Sequence, residues 1–402
     1  MARLYTPKTE TLEKYARVLV DFALRDGAGV KPGEVVYLAA QQPALPLAKA
    51  VYARILERGG HPILNLRDDD FRLIHLKAAS EEQLKFAPTA YYRGLVDTID
   101  HAIHLLAEWD PRFLADVDPR RLILANQSGK QLRDWFDEKE QHGRYCWTLC
   151  LYGTAGMAAE AGLSAAEYWK QIRRACFLDE PDPVAAFTEV FAEIKRIVAE
   201  LSRLPIARLH VTAEGTDLFV TLGEQRKWLG ASGHNIPSFE IFTSPDWHGT
   251  SGTVRFDQPL YRYGNVICGI ELTFEEGKIL KATAEENESL LHALIAQPNA
   301  DRIGEFSLTD RRFSRINRFM ATTLYDENFG GEYGNMHLAV GRAYRDAFAG
   351  DQTKVSEEEW QRLGFNQSVE HTDIIATTER EVTAHLRNGE SIVIYSGGEF
   401  KI

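Results

Sequence analysis

The chain has 402 residues, 44% of them apolar, and a formal charge of −12 from 46 basic and 58 acidic side chains. That length exceeds one ordinary hydrophobic core, and the composition is that of a folded globular protein rather than a disordered one. An acidic balance with no basic run excludes nucleic acid or an anionic membrane surface as partner.

The opening Met-Ala-Arg-Leu-Tyr-Thr-Pro-Lys leads into an amphipathic helix, not an apolar signal core, and no stretch is long enough to span a bilayer. Helical periodicity over Leu12 to Leu24 gives way, through glycines and Pro32-Gly33, to the apolar run Val35–Ala40. A second helix (Leu45 to Leu56) precedes the strand pattern after Pro62. A third, from about Glu81 to Asp97, precedes His101–Leu106. The run from Arg121 to Ala125 reads as another strand, followed by a polar helix and the strand Tyr145–Tyr152. Short apolar runs between helical periods predict a doubly wound α/β domain with a mostly parallel sheet. Gly27-Ala-Gly29 lies after a helix and before a strand, the reverse of a dinucleotide fingerprint, and reads as plain turn glycines. Cys146, Cys150, Cys176 and Cys268 form neither a C-x-x-C pair nor a staple framework, which points to reduced thiols in the cytoplasm.

Residues 181 to 204 form a long amphipathic helix, and beyond it strands dominate. Arg208–Ala213 with Asp217–Thr221 reads as one hairpin, and Val266–Phe274 with Lys278–Ala282 as another. A helix over Ala284 to Ile295 carries His292 on a packing face. The expected division is therefore an α/β domain over 1–180 and an α+β domain over 181–402 that carries the metal site.

That second part holds an ordered set of polar residues. Glu240 lies between Phe239 and Ile241-Phe242, as a strand residue would, and Glu305 follows Gly304, which lets a backbone or ligand approach closely. His371 and Asp373 are two apart before Ile374-Ile375, so a strand would put both on one face. His337 and Tyr344 are seven apart, which on a helix is two turns along one face. His234 and His248 flank the first motif and are candidates for supporting it from outside.

The order and flanking residues resemble the aminopeptidase T/aminopeptidase S/PepS family of metallo-aminopeptidases. The matching motifs are Asn235 to Pro245, Gly304-Glu305-Phe306-Ser307, Asp326-Glu327-Asn328, His337-Leu-Ala-Val-Gly341 with Tyr344, and His371-Thr-Asp373. The resemblance implies Glu240, Glu305, His337, His371 and Asp373 as metal ligands, and Tyr344 as donor to an oxyanion. Glu327 is the candidate general base or outer ligand, although the glycine-rich segment after it carries a second acid, Glu332. Three carboxylates around one divalent ion leave excess negative charge. Two ions bridged by one carboxylate balance the set, whether zinc, cobalt, manganese or magnesium. Such ions, about 3.5–4 Å apart, can share a hydroxide that attacks a peptide carbonyl. The family further implies a homodimer that removes the N-terminal residue from short peptides. Two other classes stay open: a mononuclear non-haem iron dioxygenase of the same superfamily, and a metal-stabilised binding protein without turnover.

Overall fold

The computed structural model describes residues 5–402 and divides into two compact units. The first runs to Thr188 and regains Ser232–Pro237; the second holds Glu189–Ala231 and Ser238–Ile402. Among the described residues no helix is long and apolar enough to cross a membrane.

In the first unit, α1 (Thr9–Arg17) continues through a π-helical turn, Val18–Phe22, before strand β1 (Val35–Gln41). Helix α2 (Leu45–Glu57) and strand β2 (His61–Arg67) follow, then α3 (Asp69–Ala78), α4 (Glu81–Lys85) and α5 (Thr89–Thr98). Strand β3 (His101–Leu106), α6 (Pro119–Ser128), α7 (Lys130–Gln141) and β4 (Cys146–Leu151) complete the alternation. All pairings in this sheet are parallel, with β2, β1, β3 and β4 in that order. The parallel sheet with its helices agrees with the α/β reading.

Two local expectations are corrected. Arg121–Ala125 is helical, not a strand. Asp118 caps α6 by accepting from the Arg120 N–H at 2.9 Å, and Pro119 takes the first turn, where it loses no hydrogen bond. The helix expected from Glu81 to Asp97 is broken into α4 and α5 by Pro88, which disfavours helical geometry in the residue before it. Helices α8 (Ala155–Glu160), α9 (Ala165–Ala175) and the long α10 (Pro183–Arg203) lead onward.

Strands then dominate: β5 (Ile206–Ala213) and β6 (Thr216–Thr221) form the expected hairpin. Next come β7 (Leu229–Gly230), β8 (Asn235–Ile236), which adds to β4 in the first unit, and β9 (Glu240–Thr243). After β10 (Ser251–Arg255), β11 (Leu260–Arg262) and β12 (Asn265–Ile267) pair only with each other. Strand β13 (Glu271–Glu275) then pairs with β14 (Lys278–Thr283). The run read as one strand from Val266 to Phe274 is thus two strands, parted where Gly269 takes φ +63°. Helix α11 (Glu288–Ile295), β15 (Ile303–Thr309), α12 (Thr323–Asp326) and β16 (Asn335–Gly341) follow. Helix α13 (Glu357–Arg362), β17 (His371–Ala376), β18 (Arg380–Leu386), β19 (Ser391–Ser396) and β20 (Glu399–Phe400) end the chain.

The second unit contains an eight-stranded sheet, β14-β13-β10-β6-β5-β18-β19-β20, and a five-stranded antiparallel sheet, β17-β16-β15-β9-β7. In the smaller sheet Leu308 lies opposite Ile241 and Met336, and Phe306–Leu338–Ile374 form the neighbouring row. All six are buried, so one face of this sheet is a continuous apolar core. Fully buried Asn328 fixes the entry to β9: its Oδ1 accepts from the Phe239 N–H at 2.6 Å and its Nδ2 donates to the Leu324 carbonyl at 3.0 Å. Asn328→Ala leaves that N–H buried without its acceptor, a loss of about 1–3 kcal/mol. Urea denaturation should show a lowered midpoint; an unchanged midpoint would mean the tether is dispensable.

Candidate metal centre

The other face of the five-stranded sheet carries the polar set. Glu305 is opposite Ala339, and Ala339 is opposite Asp373; Gly341 is opposite His371, and His337 is opposite Ser307. Glu240 is opposite Thr309 across β9 and β15. Directly opposed residues share a face and successive ones alternate, so Glu240, Glu305, His337, His371 and Asp373 all project to one side.

This arrangement corrects the helical expectation for His337. His337-Leu-Ala-Val-Gly341 is a strand in which Leu338 and Val340 enter the core, while Ala339 and Gly341 share the face of His337. Small residues at those positions leave room beside Glu305, Asp373 and His371. Gly304 is required for another reason: a Cβ there would lie 2.3 Å from the Arg342 carbonyl oxygen. The close approach anticipated at Gly304 is therefore made by backbone, at a bulge that sets the register of Glu305.

The side chains converge. His337 Nε2 is 3.0 Å from Glu305 Oε1 and 3.5 Å from Glu240 Oε2. His371 Nε2 is 3.3 Å from Asp373 Oδ1 and 3.7 Å from Glu305 Oε2. Ser238 Oγ donates to Glu240 Oε1 at 3.2 Å. The five side chains form two groups of potential ligands, Glu240/Glu305/His337 and Glu305/His371/Asp373, with the donor atoms of each group within 4.8 Å of one another. Glu305 belongs to both.

Charge decides what such a set can hold. Burial and the charge of Glu305 push the Glu240 carboxyl up to about 7. Burial pulls both imidazoles down, but a hydrogen bond and charge from Glu305 raise His337 to about 9, and Asp373 does the same for His371. Asp373 is lowered to about 2: burial opposes its ionisation, but the charge and hydrogen bond of His371 outweigh that. Protons on the two imidazoles balance the carboxylates, and a metal cation could displace them. His371 Nδ1 lies 2.7 Å from the Arg342 carbonyl, a bond that places the hydrogen on Nδ1 and turns the Nε2 lone pair toward the two carboxylates. Three electron-pair donors facing one another fit a divalent ion of the borderline type that takes nitrogen and oxygen ligands.

Tyr344 lies beyond β16, outside any helix, where its N–H donates to Ser244 Oγ at 2.8 Å. Its ring is 4.8 Å from that of His371 and 6.0 Å from that of Phe242, so it borders the cluster. Although 38% of the residue stays exposed, desolvation together with the charges of Glu305 and Asp373 holds its pKa well above the ordinary phenol value. The hydroxyl is neutral and able to donate.

Glu327 is buried after α12, its backbone oxygen accepting from Asn335 Nδ2 at 2.9 Å and Thr309 Oγ1 at 3.3 Å. Glu332 is exposed and hydrogen-bonded to Tyr333. His248 is paired with Asp246 at 2.7 Å on the surface, and His234 lies in the first unit with Glu140; neither joins the five. His292 bonds the Ala282 carbonyl at 2.9 Å, in keeping with its reading as a packing residue. Sequence reasoning missed Arg262, whose charge also lowers Asp373 and which pairs with Glu370 at 2.5 Å. Nothing in the sequence around Arg262, the last residue of β11, announces that role.

A model of the thermophilic metalloprotease family M29 matches residues 8–400. The chain belongs to the M29 family of metalloproteases. Aminopeptidase 2 of Geobacillus stearothermophilus is 29% identical over 97% of each chain. Aminopeptidase T of Thermus aquaticus is 28% identical over 98% of this chain and 99% of its own. The solved structure of wild-type AmpT from Thermus thermophilus shares the fold, with a TM-score of 0.85 over 98% of this chain at 24% identity. This M29 chain is accordingly an enzyme, a hydrolase with divalent-metal chemistry, and the comparisons lend no support to a dioxygenase or a non-catalytic binding protein.

A metal ligand must be deprotonated. Since His337 and His371 keep their protons to about pH 9 in the metal-free M29 protein, binding divalent ions near pH 7 should release about two protons per chain. Apparent affinity should rise as the pH approaches 9. Calorimetric titration in buffers of different ionisation enthalpy counts the protons; zero release would place both imidazoles outside the coordination shell.

Proposed function

We propose that this enzyme is a metallo-aminopeptidase that releases the N-terminal residue of short peptides at a dinuclear centre bridged by Glu305. Glu240 and His337 would complete one site, His371 and Asp373 the other. The observation that supports this reading most directly is the pair of ligand groups with one carboxylate in common. Divalent ions held there would supply Lewis acidity toward the scissile carbonyl and toward water.

The chain's own groups have distinct tasks. Tyr344, kept neutral, would donate its hydroxyl to the carbonyl oxygen as negative charge develops on it. Glu327, buried and near the end of β15 through its bond to Thr309, is the candidate for moving the proton of the attacking water. A free, unprotonated α-amine is a nitrogen donor that such a centre could take, which would favour a substrate with a free N-terminus over a blocked one. A cytoplasmic homodimer is the working form that goes with this reading.

Elemental analysis of the purified protein should find two divalent ions per chain. Glu305→Ala should remove both, whereas Glu240→Ala or Asp373→Ala should leave one. One ion in the unaltered protein, or loss of a single ion in Glu305→Ala, would overturn the bridge.

The activity itself is read on amino-acid p-nitroanilides, which should be cleaved when the α-amine is free and resist when it is acetylated. In that assay Tyr344→Phe should lower kcat by about 10²–10³-fold, as removal of a single oxyanion donor does, with KM and metal content little changed. A variant with full kcat would remove the tyrosine from the mechanism.

A further inference from the structure

The first unit holds a second constellation that peptide hydrolysis does not use. Cys146 opens β4, Glu140 lies in the last turn of α7, and His234 immediately precedes β8. The Leu149 N–H donates to the His234 carbonyl at 2.7 Å, which holds that backbone against β4. The imidazole stacks on Trp147, with ring centres 4.5 Å apart and planes within 7°. His234 Nε2 is 2.9 Å from Glu140 Oε1, and the same ring is hydrogen-bonded to Cys146. The Arg25 N–H also points at the sulfur, at 3.4 Å. The Arg25 guanidinium is itself engaged by Glu34 at 2.8 Å and His101 at 3.3 Å.

Thiol, imidazole and carboxylate therefore stand in series: a nucleophile beside a base, and the base oriented by a third group. The stack on Trp147 and the strand pairing fix the base as firmly as the carboxylate does. Burial pulls the His234 pKa down, but its hydrogen bonds to Cys146 and Glu140 raise it to about 9, so the ring has a strong hold on a proton. The cluster is also reachable: the side chains of His234 and Glu140 are 29% and 26% exposed, and Cys146 is half-buried. Cys150 and Cys176, by contrast, are buried.

We propose that Cys146 is a modification site, a thiol that His234 and Glu140 activate for exchange with small organic disulfides and for reaction with electrophiles. In the exchange the thiol proton passes to solvent, the protonated ring of His234 holds the sulfur by a hydrogen bond, and the sulfur attacks one sulfur of the disulfide. A new S–S bond joins Cys146 to that sulfur, the old S–S bond breaks, and the departing thiolate takes the proton of His234, which solvent restores. One disulfide is consumed and one thiol released, with no further oxidant. Glu140 acts through His234 and is a positioning residue.

Cys268 is the internal comparison, because it is also half-buried but burial and then Glu286 and Glu285 push its pKa up. The intact protein is treated with limiting iodoacetamide, and in parallel with glutathione disulfide, and labelled peptides are quantified over time. Cys146 should react about tenfold faster than Cys268. His234→Gln and Glu140→Gln should bring Cys146 down to the Cys268 rate while leaving Cys268 itself unchanged, and Glu140→Asp should restore part of the difference. Equal or slower labelling of Cys146 in the unaltered protein overturns the proposal. So does a Cys146 rate indifferent to His234→Gln. Variants that speed both cysteines together would show a loosened fold in place of an activating base, and overturn it as well.

Discussion

The polar face of one small antiparallel sheet is organised by the sharing of Glu305. This carboxylate stands between two imidazoles, with one oxygen toward His337 and the other toward His371. Glu240 and Asp373 bring further negative charge into the same buried space, where an uncompensated carboxylate is strongly disfavoured. The cluster compensates itself with protons on its histidines, and those protons stand where metal cations can replace them. The constraints on the surrounding chain follow from that requirement. Ala339 and Gly341 must be small because they lie in the rows that Glu305, Asp373 and His371 occupy. Gly304 must lack a Cβ because the backbone of the next strand crosses it, and Gly341, at φ +102°, presses against the Glu370 carbonyl in the same way.

Part of this was legible in the sequence, and the boundary has a physical cause. His371-x-Asp373 before two β-branched residues has a period of two, and that is how β17 presents it. Glu240 within an apolar run likewise heads a strand. The segment beginning at His337 misleads because a seven-residue spacing satisfies a helix, while alternating Leu338 and Val340 satisfy a strand equally well. The deciding contacts are the Glu305–Ala339–Asp373 row and the bulge at Gly304, and these bring together residues tens of positions apart. Local periodicity carries no record of them. The Arg121 run failed the other way: Asp118-Pro119 is a readable helix start, and the short apolar run obscured it.

Tyr344 and Glu327 show how loops complete what strands begin. Neither shares the strand alternation that aligns the five candidate ligands, so each is held by its own tether. The Tyr344 backbone is bonded to Ser244, just beyond the end of β9, and its ring rests on His371 and Phe242. Glu327 is anchored through its carbonyl to Thr309 and Asn335, on the two strands that carry Glu305 and His337. On the proposed reading, such a tether sets Tyr344 at the rim while the five candidate ligands stay fixed in the sheet. The partial exposure of Tyr344, against the burial of His337, has that form.

The grouping of the side chains also bears on how many ions the centre takes. A mononuclear iron site of the two-histidine, one-carboxylate kind requires both imidazoles and the aspartate to meet at one point. Here His371 and Asp373 meet with Glu305, whereas His337 meets with Glu305 and Glu240. The imidazoles approach different oxygens of the same carboxylate, which separates them along its edge. Drawing His337 into a common site with Asp373 would abandon Glu240 as an isolated buried carboxyl, while two ions leave each acid with a partner. The separation is set by sheet register: His337 lies opposite Ile375, two pairs beyond Asp373, and bringing Asp373 level with His337 would need a two-residue slide of β17 that replaces Ile374 by Thr372 opposite Leu338. The same pairing that buries Ile374 against Leu338 thereby keeps His337 and Asp373 in separate groups, as the proposed two-ion reading requires.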